Sequence, residues 1–500
     1  MSSESSIKSS PVYPSVGTLG TVGVCVVAFA SIAGGPYGIE VAVGVAGALP
    51  TLLGLVATAL IWSAPQALVT AELSSTFPSN AGYVAWVLHG LGPVAGFVNA
   101  WSMIIAQSLN IPLYPVLIAD YMLQIIPTLS DGDLWAIKLS CMIFAVILNI
   151  RGVQAVETAS LIMVLLVQTP FIIMPFMFAS KYGGDKFAWK ELGASDLDLA
   201  GGEFSVFAST LCWNMQGWVT LGSLAAEVKN VKRNYPIGLL IAVTLVAINY
   251  LYPVLVGIAM SPDPSVWETG YFVTLAQSIN PNLGTYALVM AAFSSMSNLV
   301  PQLTTSARAL CAAARLGIVP IPLLAKAHVT QFKTPVPAII AVAIISSVCM
   351  AFDFNILVVI QLLFSGVGLA LQFAAFLRLK HFEPKLVRPY EVPYGIIGAW
   401  IICLPFFALL GLVAISAAIE TPSLAGAAAG MSLILIAGGY AWVRYSIGNS
   451  AISLLGKGEN ENENDGNDSV SERDGQLIDG ERVNEPLLNS GGGGGGGGKG

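Results

Sequence analysis

The stretch Ser31-Ile32-Ala33-Gly34-Gly35-Pro36-Tyr37-Gly38-Ile39-Glu40 lies inside an apolar run that otherwise has the composition of a membrane helix. Val22 to Ile32 leads into it and Ile39 to Leu49 follows it. Three glycines and a proline between Gly34 and Gly38 do not continue a helix. Pro36 has no amide hydrogen, and glycine loses the most backbone freedom in a helix. Non-helical backbone at bilayer depth persists only where protein buries it or where it lines a wet cavity. The stretch is therefore a kink or a binding site.

The composition names the setting. The chain has 500 residues, of which 55% are hydrophobic and 10% charged, with a mean hydropathy of +0.74. A soluble domain carries about 25% charged residues, so this is a polytopic membrane protein. The net charge of −7 comes from acidic residues clustered near the C-terminus, and it points to no nucleic acid or basic partner. Cys25, Cys141, Cys212, Cys311, Cys349 and Cys403 all sit in apolar runs, none at a metal-ligand spacing, and read as small buried hydrophobes. His89, His328 and His381 fall in loops or at helix ends. Neither a Ser–His–Asp set nor a metal cluster is suggested, so the chain is expected to be no enzyme and to carry no cofactor or metal.

With a span of roughly 20 apolar residues as the ruler, about twelve segments emerge: 17–48 (broken), 50–71, 92–126, 134–150, 157–179, 203–226, 236–260, 283–313, 336–352, 355–377, 396–419 and 423–443. The expectation is an all-α polytopic membrane protein, with a tail at 1–15, a transmembrane domain at 16–447 and a disordered acidic, Gly-rich tail at 448–500. Lys and Arg concentrate on one side, among them Arg151, Lys229, Lys232, Arg233, Arg308, Arg315, Arg378 and Lys380, which places both termini in the cytoplasm. The loops at 180–202 and 261–282 then face outward, the second with a short surface helix. Asn467-Asp468-Ser469 matches a glycosylation triplet but falls on the cytoplasmic side. Glu485-Pro486-Leu487-Leu488 faintly resembles a dileucine sorting signal.

A second interruption lies at Cys212-Trp213-Asn214-Met215-Gln216-Gly217-Trp218. If segments one to five and six to ten are repeats, the two interruptions correspond, and paired interruptions are the best sequence pointer to a transporter site. Broken ends offer amides to a carboxylate and carbonyls to an ammonium. A zwitterionic amino acid satisfies both.

These residues resemble the amino acid–polyamine–organocation transporters, on the polyamine uptake and L-type amino acid transporter-like branch. The likeness is carried by residues 31–40, by 61–86 (Ile61-Trp62-Ser63 to Trp86), by 114–122, by 211–236 and by Val387-Arg388-Pro389-Tyr390-Glu391-Val392-Pro393-Tyr394-Gly395. It implies the five-plus-five inverted-repeat (LeuT-type) fold, helices one and six broken, two added helices, and alternating access driven by a cation gradient, often of protons. The polyamine branch carries acids where this chain has Val41, Gln66, Val219 and Gln372, and acids in helix eight where Pro301 to Thr305 stand. Burying each ammonium of a polyamine without a partner costs several kcal/mol. Glu40 is the acid that remains near the site.

The expected solute site comprises Gly34, Gly35, Tyr37, Gly38, Glu40, Trp213, Asn214, Gly217 and Trp218. The aromatic faces of Tyr37, Trp213 and Trp218 enclose an ammonium. Glu40, Glu72 and Glu227 are candidates for proton coupling or gating, each with a helix-capping or charge-cluster alternative, and Glu157 is a membrane-edge residue. Thr304 and Thr305 are weak candidates for sodium, so the expected coupling ion is H+ with Na+ as the lesser alternative. The leading expectation is a secondary active, proton-coupled permease for amino acids with neutral side chains, located in the plasma membrane. The alternatives are a polyamine (putrescine or spermidine) proton symporter and a non-transporting solute sensor.

Overall fold

The computed structural model describes residues 19–78, 81–193, 203–326, 334–352, 354–420 and 422–464. The tail at 1–15, His328, the glycosylation triplet and the dileucine-like run lie outside the described residues. Among the described residues there is no strand, only one isolated parallel bridge between Leu19 and Val228. The described residues from Leu19 to Arg444 form one compact unit, and a second unit begins at Tyr445.

The chain opens with α1 (Thr21–Ile32), followed after a non-helical passage by α2 (Glu40–Ala46). Next come α3 (Ala48–Thr76), the short α4 (Tyr83–Leu91), α5 (Pro93–Leu123) and α6 (Asp131–Ile150). Helices α7 (Val153–Val167) and α8 (Thr169–Tyr182) follow, then α9 (Glu203–Asn214) with a 3-10 turn at Trp218–Glu227. The second half holds α10 (Val231–Met260), α11 (Tyr271–Ile279), α12 (Pro281–Arg315), α13 (Val336–Cys349), α14 (Phe354–Phe382), α15 (Gly395–Glu420) and α16 (Pro422–Asn464). Helix α16 thus runs past residue 448, where composition placed the start of a structureless tail.

Among the described residues, eight helices are long and apolar enough to cross a membrane: α3, α5, α6, α10, α12, α14, α15 and α16. α1 and α13 are apolar but shorter. Central and peripheral helices differ sharply. Most of α5 and α12 is buried, whereas α6, α15 and α16 expose most of their surface. Their exposed side chains are Ile143, Leu404, Ile415 and Leu433, as lipid-facing helices require. Between the central helices the small residues let backbones approach. A Cβ on Gly90 would come within 2.7 Å of Ala375, where α4 meets α14.

The packing partners come in matched pairs. α1 packs on α10, and the 3-10 turn after α9 packs on α3. α5 packs on α14, and α12 packs on α7. A short helix, α11, does lie in the 261–282 loop, but its Phe272, Val273, Leu275, Ala276 and Ile279 are buried, so it packs into the protein and is no surface helix. α4 was not expected. Its start is set by Gly82 at φ +47, whose Cβ position lies 2.7 Å from the backbone of Gly222 and Ser223. Replacing Gly82 by Ala both strains the backbone and pushes on that turn. Gly82→Ala is expected to destabilise the protein by about 1–3 kcal/mol, read as a lower thermal unfolding midpoint in detergent.

Candidate functional site

α1 ends because its next residues cannot extend it. Gly34 and Gly38 take φ of +54 and +91, and Pro36 supplies no donor. Gly34 and Gly35 also sit where a side chain has no room: a Cβ on Gly34 would come within 2.6 Å of Asn298 Nδ2, and one on Gly35 within 2.6 Å of Ser294 Oγ. Both neighbours belong to α12. The second interruption follows the same rule, with Gly217 at φ +109 between α9 and the 3-10 turn.

The two interruptions touch. Asn214 Nδ2 donates to the Gly38 carbonyl at 3.1 Å and to the Thr210 carbonyl at 2.8 Å. The ring of Trp213 lies against the Cα of Gly38. A Cβ on Gly217 would meet Ile32 at 3.0 Å. The carbonyls freed at the broken ends are then capped by side chains. Gln302 donates to Ser31 at 2.7 Å and Asn298 to Ala33 at 3.3 Å. The Tyr250 hydroxyl donates to the Asn214 carbonyl at 3.0 Å, and Ser63 to the Met215 carbonyl at 2.9 Å. In a medium without water the bonds to Ser31 and Asn214 each replace an unsatisfied polar group, whereas the Ala33 carbonyl also accepts from the Gly35 amide and the Met215 carbonyl from the Trp218 indole.

Tyr37, Trp213 and Asn214 line a cavity together with Tyr114, Tyr250 and Asn298. It holds about 20 Å³ of free volume, room for about one water, so the site is closed around itself. No lining residue carries a charge. Tyr37 is anchored by its hydroxyl, which donates to the Ala287 carbonyl at 3.0 Å, and its ring packs on Phe171 at 5.3 Å. The Trp213 indole donates to Asn110 Oδ1 at 3.3 Å and stacks on Tyr114 at 6.4 Å.

Glu40 begins α2 and is fully buried. Its Oε2 accepts from the Gly38 amide at 2.6 Å, while Oε1 has no hydrogen-bond partner among the described residues. No ion pair among the described residues includes it. The helix-cap alternative for Glu40 is thus visible in the geometry, and it has a consequence. An amide expected to meet a solute carboxylate is here occupied by the protein's own.

Other expected residues lie apart from the cavity. Trp218 is fully buried and does not line it, and its indole donates to the Met215 carbonyl at 3.0 Å. Gly217 packs on Ile32 and Gln302. Glu227 pairs with Arg308 at 2.5 Å, at the end of the bundle marked by Leu19. Glu72 pairs with Lys380 at 2.8 Å and Arg388 at 3.1 Å, and its Oε2 accepts from the Val392 amide at 2.7 Å. Thr304 donates to Asn149 at 2.5 Å and Thr305 to the Gln302 carbonyl at 3.1 Å. The side chain of Glu157 lies outside the described residues. Of the positions where acids were expected, Gln372 donates to Asn99 at 2.9 Å, and both polar atoms of the buried Gln66 lack a partner.

Asn110, Tyr114, Tyr250, Asn298 and the cations Lys380 and Arg388 were not proposed as site or gating residues from the sequence. Lys380 and Arg388 could have been: both follow a long apolar run, and Arg388 falls within the Val387–Gly395 motif. Breaking a buried ion pair by removing one partner costs about 3–5 kcal/mol. Lys380→Met should lower the unfolding midpoint accordingly, and the double variant Glu72→Gln with Lys380→Met should recover part of the loss. A loss in the double variant equal to the sum of the losses in Glu72→Gln and Lys380→Met alone would show that the pair is not coupled.

The family model described as amino acid permease matches residues 19–448. Among similar proteins, Polyamine transporter RMV1 of Arabidopsis thaliana is 31% identical over 388 residues, covering 77% of this chain and 78% of its own length. Polyamine transporter PUT1 of Oryza sativa subsp. japonica is 30% identical, covering 85% of this chain and 79% of its own length. Large neutral amino acids transporter small subunit 2 of Oryctolagus cuniculus is 27% identical, covering 67% and 64%. With a match that spans both interrupted segments and every helix between them, the chain belongs to the amino acid permease family.

Proposed function

We propose that this chain is a secondary active, proton-coupled permease for amino acids with neutral side chains, working by alternating access with the solute held where the two interruptions meet. The observation that carries this reading is the uncharged lining of the cavity: Tyr37, Tyr114, Trp213, Asn214, Tyr250 and Asn298 offer aromatic faces and neutral polar groups. A polyamine brings several ammonium groups, each needing a partner once water is removed. An amino acid brings one, together with a carboxylate.

The matched packing of α1 on α10 with the 3-10 turn on α3, and of α5 on α14 with α12 on α7, supports the five-plus-five inverted repeat with twelve crossings. In this reading α1 with α2 forms the first crossing, and α9 with its 3-10 turn the sixth. Both termini are cytoplasmic, which puts the Glu227–Arg308 and Glu72–Lys380–Arg388 pairs at the inner gate. The protein resides in the plasma membrane. Glu40 carries the coupling proton, since a buried carboxylate with no cation beside it has to be neutralised by a proton or by the solute.

The second reading is polyamine uptake. It is favoured by the names of the plant relatives, both polyamine transporters. Uptake of labelled L-leucine and putrescine into liposomes containing the purified protein separates the two. L-Leucine is expected to accumulate against its gradient when the lumen is more alkaline than the bath. Putrescine accumulation without leucine accumulation would overturn the amino acid reading. Binding without accumulation of either would leave a sensor. Glu40→Gln is expected to abolish the dependence of leucine uptake on the proton gradient and to lower driven uptake at least tenfold, whereas an unchanged dependence would remove Glu40 from the proton route.

A further inference from the structure

Two amide side chains on α12 meet the end of α1 in the same way. Asn298 and Gln302 are one helical turn apart and share a face. Asn298 Nδ2 donates to the Ala33 carbonyl and Gln302 Nε2 to the Ser31 carbonyl. A reversed amide would set oxygen against oxygen, so the nitrogen has to face the carbonyl in both. That fixes where the remaining atoms go. Asn298 Oδ1 and Gln302 Oε1 are left buried, and neither has a donor. The residues are 8% and 2% exposed. Ser31, whose carbonyl Gln302 caps, has a buried hydroxyl that also lacks a partner.

Buried acceptors without donors are uncommon in folded proteins and call for a missing partner. Here they lie at the site. Asn298 lines the cavity, and Gln302 lies against the second interruption, its Nε2 3.3 Å from the Cβ position of Gly217. Three neutral oxygens ask for donors, and a primary ammonium has three N–H donors and no acceptor.

We propose that Asn298 Oδ1 and Gln302 Oε1, with Ser31 Oγ, form the subsite that receives the solute's primary ammonium group. The proposal rests on the amine-solute reading above and deepens it. The carbonyls of Ser31 and Ala33 engage the nitrogen of each amide and so leave its oxygen unpaired. Neutral oxygens accept one ammonium without adding an anion, so the ammonium does not need Glu40. Glu40, tied to the Gly38 amide, is then free to hold a proton while the amine is bound. If a single carboxylate served both, proton and ammonium would compete for it.

The test uses the full chain in detergent, with binding read from thermal stabilisation by L-leucine, by its 2-hydroxy analogue 2-hydroxy-4-methylpentanoate and by putrescine. The wild-type protein is expected to prefer leucine to the hydroxy acid by about tenfold or more, the scale of charge-assisted hydrogen bonds. Asn298→Leu and Gln302→Leu should bring that ratio toward one, a change that a general loss of packing would not produce because it weakens both ligands alike. Asn298→Asp, nearly isosteric, carries the test alone if the leucine variants fail to fold. It should raise affinity for putrescine over leucine by about tenfold. An unchanged leucine to hydroxy-acid ratio in the folded variants, or an unchanged putrescine preference in Asn298→Asp, overturns the proposal. Stabilisation by sodium over choline that these substitutions abolish, with amine discrimination intact, assigns the oxygens to an alkali cation and also overturns it. Uptake into liposomes is measured in parallel. Leucine bound but not accumulated removes the transport reading and leaves the subsite standing, whereas no binding of either amine removes the subsite.

Discussion

Backbone carbonyls released inside a bilayer have to find donors within the protein, and this requirement organises the centre of the molecule. Breaking α1 and α9 frees the carbonyls of Ser31, Ala33, Asn214 and Met215. Four donors from three other helices meet them: Gln302 and Asn298 from α12, Tyr250 from α10 and Ser63 from α3. Each bond is worth roughly 0.5–1.5 kcal/mol in a soluble protein, but the alternative in hydrocarbon is an unsatisfied group that costs several kcal/mol. The capping side chains therefore fix the positions of α3, α10 and α12 around the interruptions. Tyr250 and Asn298, two of those side chains, line the cavity with Asn214, which bonds across to the Gly38 carbonyl.

The interruptions themselves were legible, because glycine and proline act locally. Gly34, Pro36 and Gly38 cluster just past the end of α1 at Ile32, and Gly217 just past the end of α9 at Asn214, whereas a lone proline such as Pro253 or Pro301 stays inside its helix. Most helix boundaries followed from hydrophobic run length to within a few residues. What failed to show was anything set by distant partners. Asn298 is 265 positions from Ala33, and Lys380 is 308 from Glu72. A lone polar residue in an apolar helix announces that it has a partner but not which one. α4 escaped notice for a different reason. It is nine residues long, too short for a span, and its start depends on the close approach of Gly82 to Gly222. Trp218 shows the converse error: an aromatic next to a break reads as a solute contact, yet its indole serves a carbonyl three residues back.

The two sets of buried charge also differ in kind. At Glu72 one carboxylate meets two cations and a backbone amide, so its charge is compensated locally and its partners are held in place. At Glu40 one oxygen is satisfied by the adjacent backbone and the other by nothing. The first arrangement resists change. The second responds to whatever arrives.

The parallel bridge at Leu19 has a mechanical meaning. Leu19 precedes α1, and Val228 follows the 3-10 turn beyond the second interruption. The two segments are joined by two backbone hydrogen bonds, the Leu19 amide to the Glu227 carbonyl at 3.0 Å and the Lys229 amide to the Leu19 carbonyl at 2.8 Å. The joint is made by main-chain atoms alone, so no side-chain substitution short of proline removes it, whatever residue stands at position 19 or 228. The Glu227–Arg308 contact beside it is made by side chains, and a single substitution removes it. The start of α1 and the end of the 3-10 turn are therefore tied twice at this end, once by a bond that the backbone dictates and once by one that the sequence can change.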